Sequence, residues 1–243
     1  MEHISVIVPV YNRAEIFGRS LQSIVEQTYR PIQIIVVDDG STENIKDVFD
    51  RTKKKYESAH HSFLYIRQEN KGASVARNSG LAHATGGYVI FWDADTIGQA
   101  HMLEHMRDAL SRNTEASFAY SSFLLEKKLF RGIPFSFEEL KKQNFITTMS
   151  LIRRSAVVKW DESLKRFQDW DLWLTMAEQG KKGVWIDEIL FQVEGGGTIS
   201  SWLPSFAYHV PFRWLPSIRD KVREYEAARK IIFNKHHVSL KAD

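Results

Sequence analysis

The 243-residue chain contains no cysteine, which excludes disulfides, thiolate metal sites and a cysteine nucleophile, so any metal chemistry must use oxygen or histidine ligands. Long apolar runs are missing too. The first, Ile4 to Val10, contains Pro9 and follows no basic segment, unlike a secretory leader. No stretch approaches the roughly 20 residues of a membrane-spanning helix. With no export signal, the expected location is the cytoplasm. There is no Walker A loop and no glycine-spaced dinucleotide fingerprint, so a nucleotide would have to be held by other groups. Neither an internal repeat nor a low-complexity linker is visible. A large charge excess is also lacking: the net charge is +3, and because residues 201–243 hold 8 Lys/Arg against 4 Asp/Glu, the first 200 residues carry −1. Nothing in that balance points to nucleic acid.

At 43% hydrophobic, the chain can bury a substantial core as one large domain or two merged halves. It is organised around Tyr88-Val89-Ile90-Phe91-Trp92-Asp93-Ala94-Asp95, a continuous apolar run that reads as a strand covered on both faces and ends in two acids. If extended, Asp93 and Asp95 share a face, with Cα atoms about 6.6 Å apart at a rise of ~3.3 Å per residue. That arrangement suits one divalent cation, Mg2+ or Mn2+, and an anionic ligand. A polar turn capping the next helix is the purely structural alternative.

Strands and helices alternate before this run. Residues 4–10 and 32–37 read as strands, with helices at 13–27, 45–56 and 73–84 and a third strand at 63–66. Asn12 is a candidate cap for the first helix. Such an order implies a mainly parallel sheet flanked by helices, which binds ligands at the carboxyl ends of its strands. Asp38 and Asp39 stand at one such end and can accept hydrogen bonds from a base or ribose, and Arg77 can neutralise a phosphate; a turn acid and a surface arginine are the plainer readings. A helix with Met102, Leu103, Met106 and Leu110 on one stripe and a strand at 116–125 follow. Residues 127–150 look irregular apart from a short charged helix near 138–143. A helix opens at Gln168 and is stopped by Gly180, short strands are expected at 184–186 and 189–193, and Gly195-Gly196-Gly197 is a candidate mobile lid.

Together, SVIVPVYNR at 5–13, VVDDGST at 36–42, NKGASVARNSGLAHATGGYVIFWDAD at 70–95 and QDWDLW at 168–173 resemble the family 2 inverting glycosyltransferases of the GT-A fold, in motif order and spacing, over roughly residues 4–200. The resemblance implies a donor site lined by Pro9, Tyr11, Asp38, Asp39 and Arg77, with Asp93 near the ribose or metal, Asp95 as the main metal ligand and Asp169 as the base. It also implies a nucleoside-diphosphate sugar donor and a glycan or lipid-linked acceptor in polysaccharide or glycolipid assembly. Residues 1–115 would form the nucleotide-sugar half and 116–200 the acceptor half. Two positions depart from the family pattern. Gln168 replaces the usual Glu before the base, and Glu194, followed by three glycines, stands where many relatives place a histidine.

Asp169 and Asp171 cannot face one site, since residues two apart on a helix point about 200° apart; the family register favours Asp169 as the base and leaves Asp171 a structural role. The extension, 201–243, combines Trp202, Phe206, Phe212 and Trp214 with a basic helix capped at Ser217, whose Ile218, Val222, Tyr225 and Ile232 share a stripe. It fits a helix packed on the domain, a peripheral contact at the inner face of a membrane, or a homodimer interface. A sugar nucleotidyltransferase and a non-catalytic nucleotide-sugar binding module remain as alternatives to the transferase.

Overall fold

The computed structural model describes residues 2–194 and 216–238; the glycine triplet at 195–197 and the aromatic cluster at 202–214 lie outside them, as do the side chains of Ser217 and Ile218. The first part alternates β1 (Ile4–Val10), α1 (Ala14–Val25), β2 (Ile32–Asp38), α2 (Ile45–Tyr56), β3 (His61–Arg67), α3 (Ala73–Ala82) and β4 (Tyr88–Phe91). Then come β5 (Thr96–Gly98), α4 (Met102–Arg112), β6 (Ala116–Leu125), β7 (Lys128–Phe130), α5 (Phe137–Lys142), β8 (Leu151–Arg153), α6 (Gln168–Glu178), β9 (Lys182–Val193) and α7 (Pro216–Lys235). The sheet order is β3-β2-β1-β4-β8-β6-β9-β5, with β7 beside β6. Strands β3, β2, β1 and β4 are parallel throughout, whereas β8 runs antiparallel to both β4 and β6.

The continuous apolar strands are explained by two cores, one on each face of the sheet. Ile4, Val6, Val8, Ile34, Val36, Ile90 and Trp92 enter the core shared with α1, α2 and α4. Their neighbours Ile7, Ile35, Val37, Val89 and Phe91 enter the core shared with α3 and α6. Alternation is present, but both sides are apolar, so the sequence shows a run. At Gly80 of α3 a Cβ would stand 2.4 Å from Ile7 Cγ2, so the absence of a side chain lets this helix sit close against β1. Pro9 is tolerated in a central strand because of register. Ile7 O accepts from Trp92 N on the β4 side, Pro9 faces that same side, and the β1–β4 pairing has already ended at Ile7↔Phe91.

Several local expectations change. Asn12 does not cap α1. Its carboxamide oxygen accepts from Thr42 N and Glu43 N, while the Glu43 carboxylate accepts from Arg13 N and Ala14 N at 2.9 and 2.7 Å. The cap comes from another loop because Asn12 and Arg13 are both left-handed, φ 58 and 65, which turns the Asn12 side chain away from the helix. The two short strands expected at 184–186 and 189–193 are one strand, β9, kinked by register shifts against β6. Within the irregular 127–150 segment, β7 pairs with β6. In α7, Ile232 and Phe233 are buried in the second core, with Tyr225 and Ala228 packed against it, so this helix is packed on the domain while Arg223 and Lys230 stay exposed. Among the described residues, no helix is long and apolar enough to cross a membrane.

Candidate active site

Register brings the functional loops to one edge. Val10 pairs with Asp38 and Asp38 with Arg67, so the carboxyl ends of β1, β2 and β3 are level, and β4 ends beside them. Tyr11, just past β1, is 51% exposed and offers an aromatic face at this edge. Pro9 is half-buried beneath it. Asp38 is 0% exposed and its carboxylate is already engaged: Oδ1 accepts from Ser41 N, and Oδ2 from Tyr65 Oη at 2.6 Å and Arg67 Nη1 at 2.8 Å. Burial works against its charge, but the bonds from Ser41, Tyr65 and Arg67 prevail and hold its pKa below the usual carboxylate value. Asp39 accepts from Gln68 Nε2, Lys71 N and Gly72 N. In this conformation both acids therefore shape the edge, Asp38 by holding the more exposed Arg67 and Asp39 by folding the turn that starts α3.

Asp93 and Asp95 are not extended. The strand stops at Phe91 and the two acids lie in a turn closed by Thr96 N donating to Asp93 O at 3.0 Å. Trp92 anchors that turn: it is fully buried, and its Nε1 lies 3.1 Å from both Ser20 Oγ and Thr96 O. The carboxylates consequently have different surroundings. Asp93 Oδ1 accepts from Arg77 Nη2 at 3.0 Å and Oδ2 from Thr148 Oγ1 at 2.5 Å. Asp95 faces Arg13 Nη1 at 3.4 Å, and its carboxyl is pushed up to about 6, first by burial and then by the charge of Asp93, with Glu194 adding to it. Glu194 is held beside this turn by its N–H on Asp95 O, and its carboxylate meets Arg19 Nη2 at 2.6 Å.

Arg77 joins the acids to α6. It is only 8% exposed, its guanidinium lies 4.4 Å from the Trp160 ring centroid, and Nη1 reaches Gln168 Oε1 at 3.4 Å while Nη2 holds Asp93. Next to Gln168, Asp169 Oδ1 accepts from Trp170 N at 2.9 Å and Oδ2 from Asn144 Nδ2 at 2.8 Å. Burial raises its pKa, with Asp93 adding to the rise, against the opposing pull of the Trp170 N–H and Arg77. A carboxylate tuned upward in this way is a better proton acceptor near neutral pH. Asp171 points elsewhere, as helix geometry requires: it is buried and meets Lys235 Nζ at 2.7 Å and His236 Nε2 at 2.8 Å.

Sequence reasoning missed Arg67, Asn144, Thr148 and Trp160, whose contacts bridge segments distant in the chain. Among the described residues, no three acid or histidine side chains converge to hold a metal by themselves. Asp93 is held by Arg77 and Thr148 and Glu194 by Arg19 at 2.5–3.0 Å, whereas Asp95 meets Arg13 at a longer 3.4 Å, so of these carboxylates Asp95 fits best as a single hard-oxygen ligand.

Residues 5–160 match the family model described as glycosyl transferase family 2. Glycosyltransferase GlyA of Streptococcus pneumoniae serotype 4 is 46% identical over 94 residues, which is 39% of this chain and 13% of that protein. Over 104 residues, glycosyltransferase GlyG of the same organism is 38% identical, covering 42% of this chain and 33% of GlyG; the chain thus matches a third or less of these relatives. The Bacillus subtilis glycosyltransferase TuaG is 28% identical over 196 residues, 77% of either chain. Among solved structures, S. aureus TarS 1–349 in complex with UDP superposes with a TM-score of 0.68 at 18% identity, covering 100% of this chain and 67% of that one. The mannosyltransferase PcManGT from Pyrobaculum calidifontis, solved with GDP-Man and Mn2+, gives 0.66 at 16% identity, with 99% and 65% covered. With its strand-end acids on the same architecture and most of its length matched by the family model, the chain belongs to glycosyl transferase family 2 and has the GT-A fold.

Proposed function

We propose that this chain is an inverting glycosyltransferase that moves a sugar from a nucleoside-diphosphate sugar to a hydroxyl of a glycan or lipid-linked acceptor, with Mg2+ or Mn2+ as its cation. The observation that carries the reading is Arg77, one buried cation that touches Asp93 at the β4 edge and Gln168 at the start of α6, so that donor-side and base-side acids form one network.

Tyr11, Pro9 and Arg67 border the nucleotide, with Asp38 and Asp39 holding the loops around it. The diphosphate lies toward the amino end of α3, where the helix dipole favours negative charge. Bound through Asp95, the cation would offset charge on the leaving diphosphate. Asp169 takes the proton from the acceptor hydroxyl as that oxygen attacks the anomeric carbon from the face opposite the leaving group. Asn144 and the Trp170 N–H keep its carboxylate oriented. One base suffices, because a single displacement forms no glycosyl-enzyme intermediate.

Incubation with a panel of nucleotide-sugars, followed by product analysis, tests the proposal. Free nucleoside diphosphate and a glycoside of inverted configuration are expected. Formation of nucleoside triphosphate and sugar 1-phosphate when pyrophosphate is supplied would indicate a nucleotidyltransferase, retained configuration would remove the single-displacement mechanism, and bound but unchanged donor would mark a binding module.

A further inference from the structure

His236, just past the end of α7, is wedged between two carboxylates of α6. Its Nε2 lies 2.8 Å from Asp171 Oδ1 and its Nδ1 2.9 Å from Glu178 Oε1, and its side chain is only 2% exposed. Asp171 and Glu178 are seven residues apart, two helical turns, and so lie on one face of α6. Ionised carboxylates only accept hydrogen bonds, and a neutral imidazole has one N–H, so both contacts are satisfied only by a ring carrying both protons. The other charged groups packed here are Lys235 from α7, with Nζ 2.7 Å from Asp171, and Asp161 from the segment before α6, 2.6 Å from the same Nζ. Around this clamp, Phe233 of α7 and Phe167 meet the Trp170 ring edge-on, and Trp170 Nε1 donates to Leu140 O at 2.6 Å. The clamp therefore fastens the first turn of α6, which presents Asp169 on its other side.

We propose that His236 is a positioning residue for Asp169: its doubly protonated ring locks α7 onto α6, and sugar transfer weakens when that ring gives up a proton. The inference rests on the reading of Asp169 as the base. Burial alone would favour the neutral ring, but the bonds to Asp171 and Glu178 win and raise its pKa above the ordinary histidine value of 6.5. A group raised on folding contributes fully below its unfolded pKa, and the contribution is lost as pH rises through the folded value. On losing a proton the ring keeps one carboxylate and turns a lone pair toward the other. Asp171 still has Lys235, so the first turn of α6 loosens without the chain unfolding.

Two measurements on the full chain test this. Histidine ring titration by NMR needs no activity: the His236 ring should titrate above 6.5, and in Glu178→Gln, a change at a more exposed position that spares the fold, it should titrate lower. Release of nucleoside diphosphate from the most active UDP- or GDP-sugar, in the presence of acceptor, gives kcat and KM from about pH 6 to 9. The wild type should lose kcat on the alkaline side with donor KM unchanged, and Glu178→Gln should move that limb to lower pH. His236→Gln should lower kcat about tenfold near pH 6.5, short of the roughly 10²-fold that a misplacement of about 1 Å costs, and should flatten the limb. His236→Lys, which keeps a fixed charge, should recover part of the rate. A His236 ring that titrates at or below 6.5 overturns the proposal, as does a folded His236→Gln protein with wild-type kcat and pH profile. If the Asp169 reading is at fault instead, Asp169→Asn retains transfer whatever His236 does.

Discussion

In the parallel part of the sheet, β3-β2-β1-β4, the site is made where strands stop, and its acids are placed by strand register together with hydrogen bonds from the loops beside them. In the mixed part Asp169, the proposed base, stands on the first turn of a helix held by groups from elsewhere: Asn144 before β8 on Asp169 itself, Arg77 from α3 on Gln168, and Lys235 and His236 from behind on Asp171. A strand end is a position fixed by the sheet itself, whereas a helix start must be fixed by what packs on it. The first part should therefore tolerate loss of one side-chain contact better than the second, apart from Asp95, the proposed cation ligand.

The comparison is tested most strongly at Asp169. Replacement by Asn keeps the shape and the Asn144 contact but removes the proton acceptor, so kcat should fall by about 10²- to 10⁴-fold, with calorimetric affinity for the nucleoside diphosphate unchanged. Asp171→Asn is its control: it removes the carboxylate that Lys235 and His236 share, leaving them only Asp161 and Glu178, and should cost up to about 3 kcal/mol in urea-unfolding stability, with a far smaller effect on kcat. If Asp171→Asn abolished transfer and Asp169→Asn did not, the two roles would be exchanged.

A smaller effect is expected at the strand end. Asp95→Ala should weaken Mn2+-dependent binding of the nucleoside diphosphate by roughly 10- to 100-fold, at least what loss of an outer-shell partner costs a metal site, while Asp93→Ala weakens it less. Calorimetry with and without Mn2+ decides this, and unchanged metal-dependent affinity in the Asp95 variant removes its assignment as ligand. Smaller again is Thr148→Val, which deletes the hydrogen bond from the loop before β8 to the Asp93 carboxylate. Loss of a hydrogen bond to a charged group, ~1.5 kcal/mol, corresponds to about tenfold in kcat/KM; an unchanged value would mean that the two parts of the site work without this link.

The smallest effect concerns stability where α7 joins the domain. Lys235, then Ser163, hold the Asp161 carboxyl down to about 2 from 3.8, against the opposing effect of burial. A depressed carboxylate stabilises the fold above its unfolded pKa, and that contribution is lost as pH falls through the folded value. Wild type and Asp161→Asn should therefore differ in urea midpoint at about pH 5 and converge as pH approaches about 2. A constant difference across that range would show that the pair with Lys235 contributes nothing through charge.

The same contrast governs what could be read from the chain. Periodicity located helix Ile45–Tyr56 and strand Ala116–Leu125 with the bounds found, because burial on two faces or one stripe is written locally. It also placed Asp38, Asp93 and Asp95 at strand ends. It did not foresee that Asp93 and Asp95 occupy a turn, since that depends on Trp92 finding Ser20 and Thr96. Nor did it identify Asn144 or Thr148, which lie in a segment without periodicity and matter only because the fold brings Asp169 and Asp93 to them. The opposed directions of Asp169 and Asp171 were legible from helix geometry, but the partner of Asp171 was not, because it lies 65 residues further on.

The reciprocal bonds between Asn12 and the 42–43 backbone, and between Glu43 and the 13–14 backbone, bear on how this fold can be re-engineered. Each loop supplies hydrogen-bond acceptors that the other cannot find in itself, and Asn12 and Arg13 keep left-handed backbones only while both sets are in place. The loops after β1 and β2 thus form one transplantable cassette. A chimera that exchanges residues 11–14 without 40–44 would carry a strained turn with no counterpart, whereas moving both together transfers a self-contained rim to another parallel-sheet scaffold.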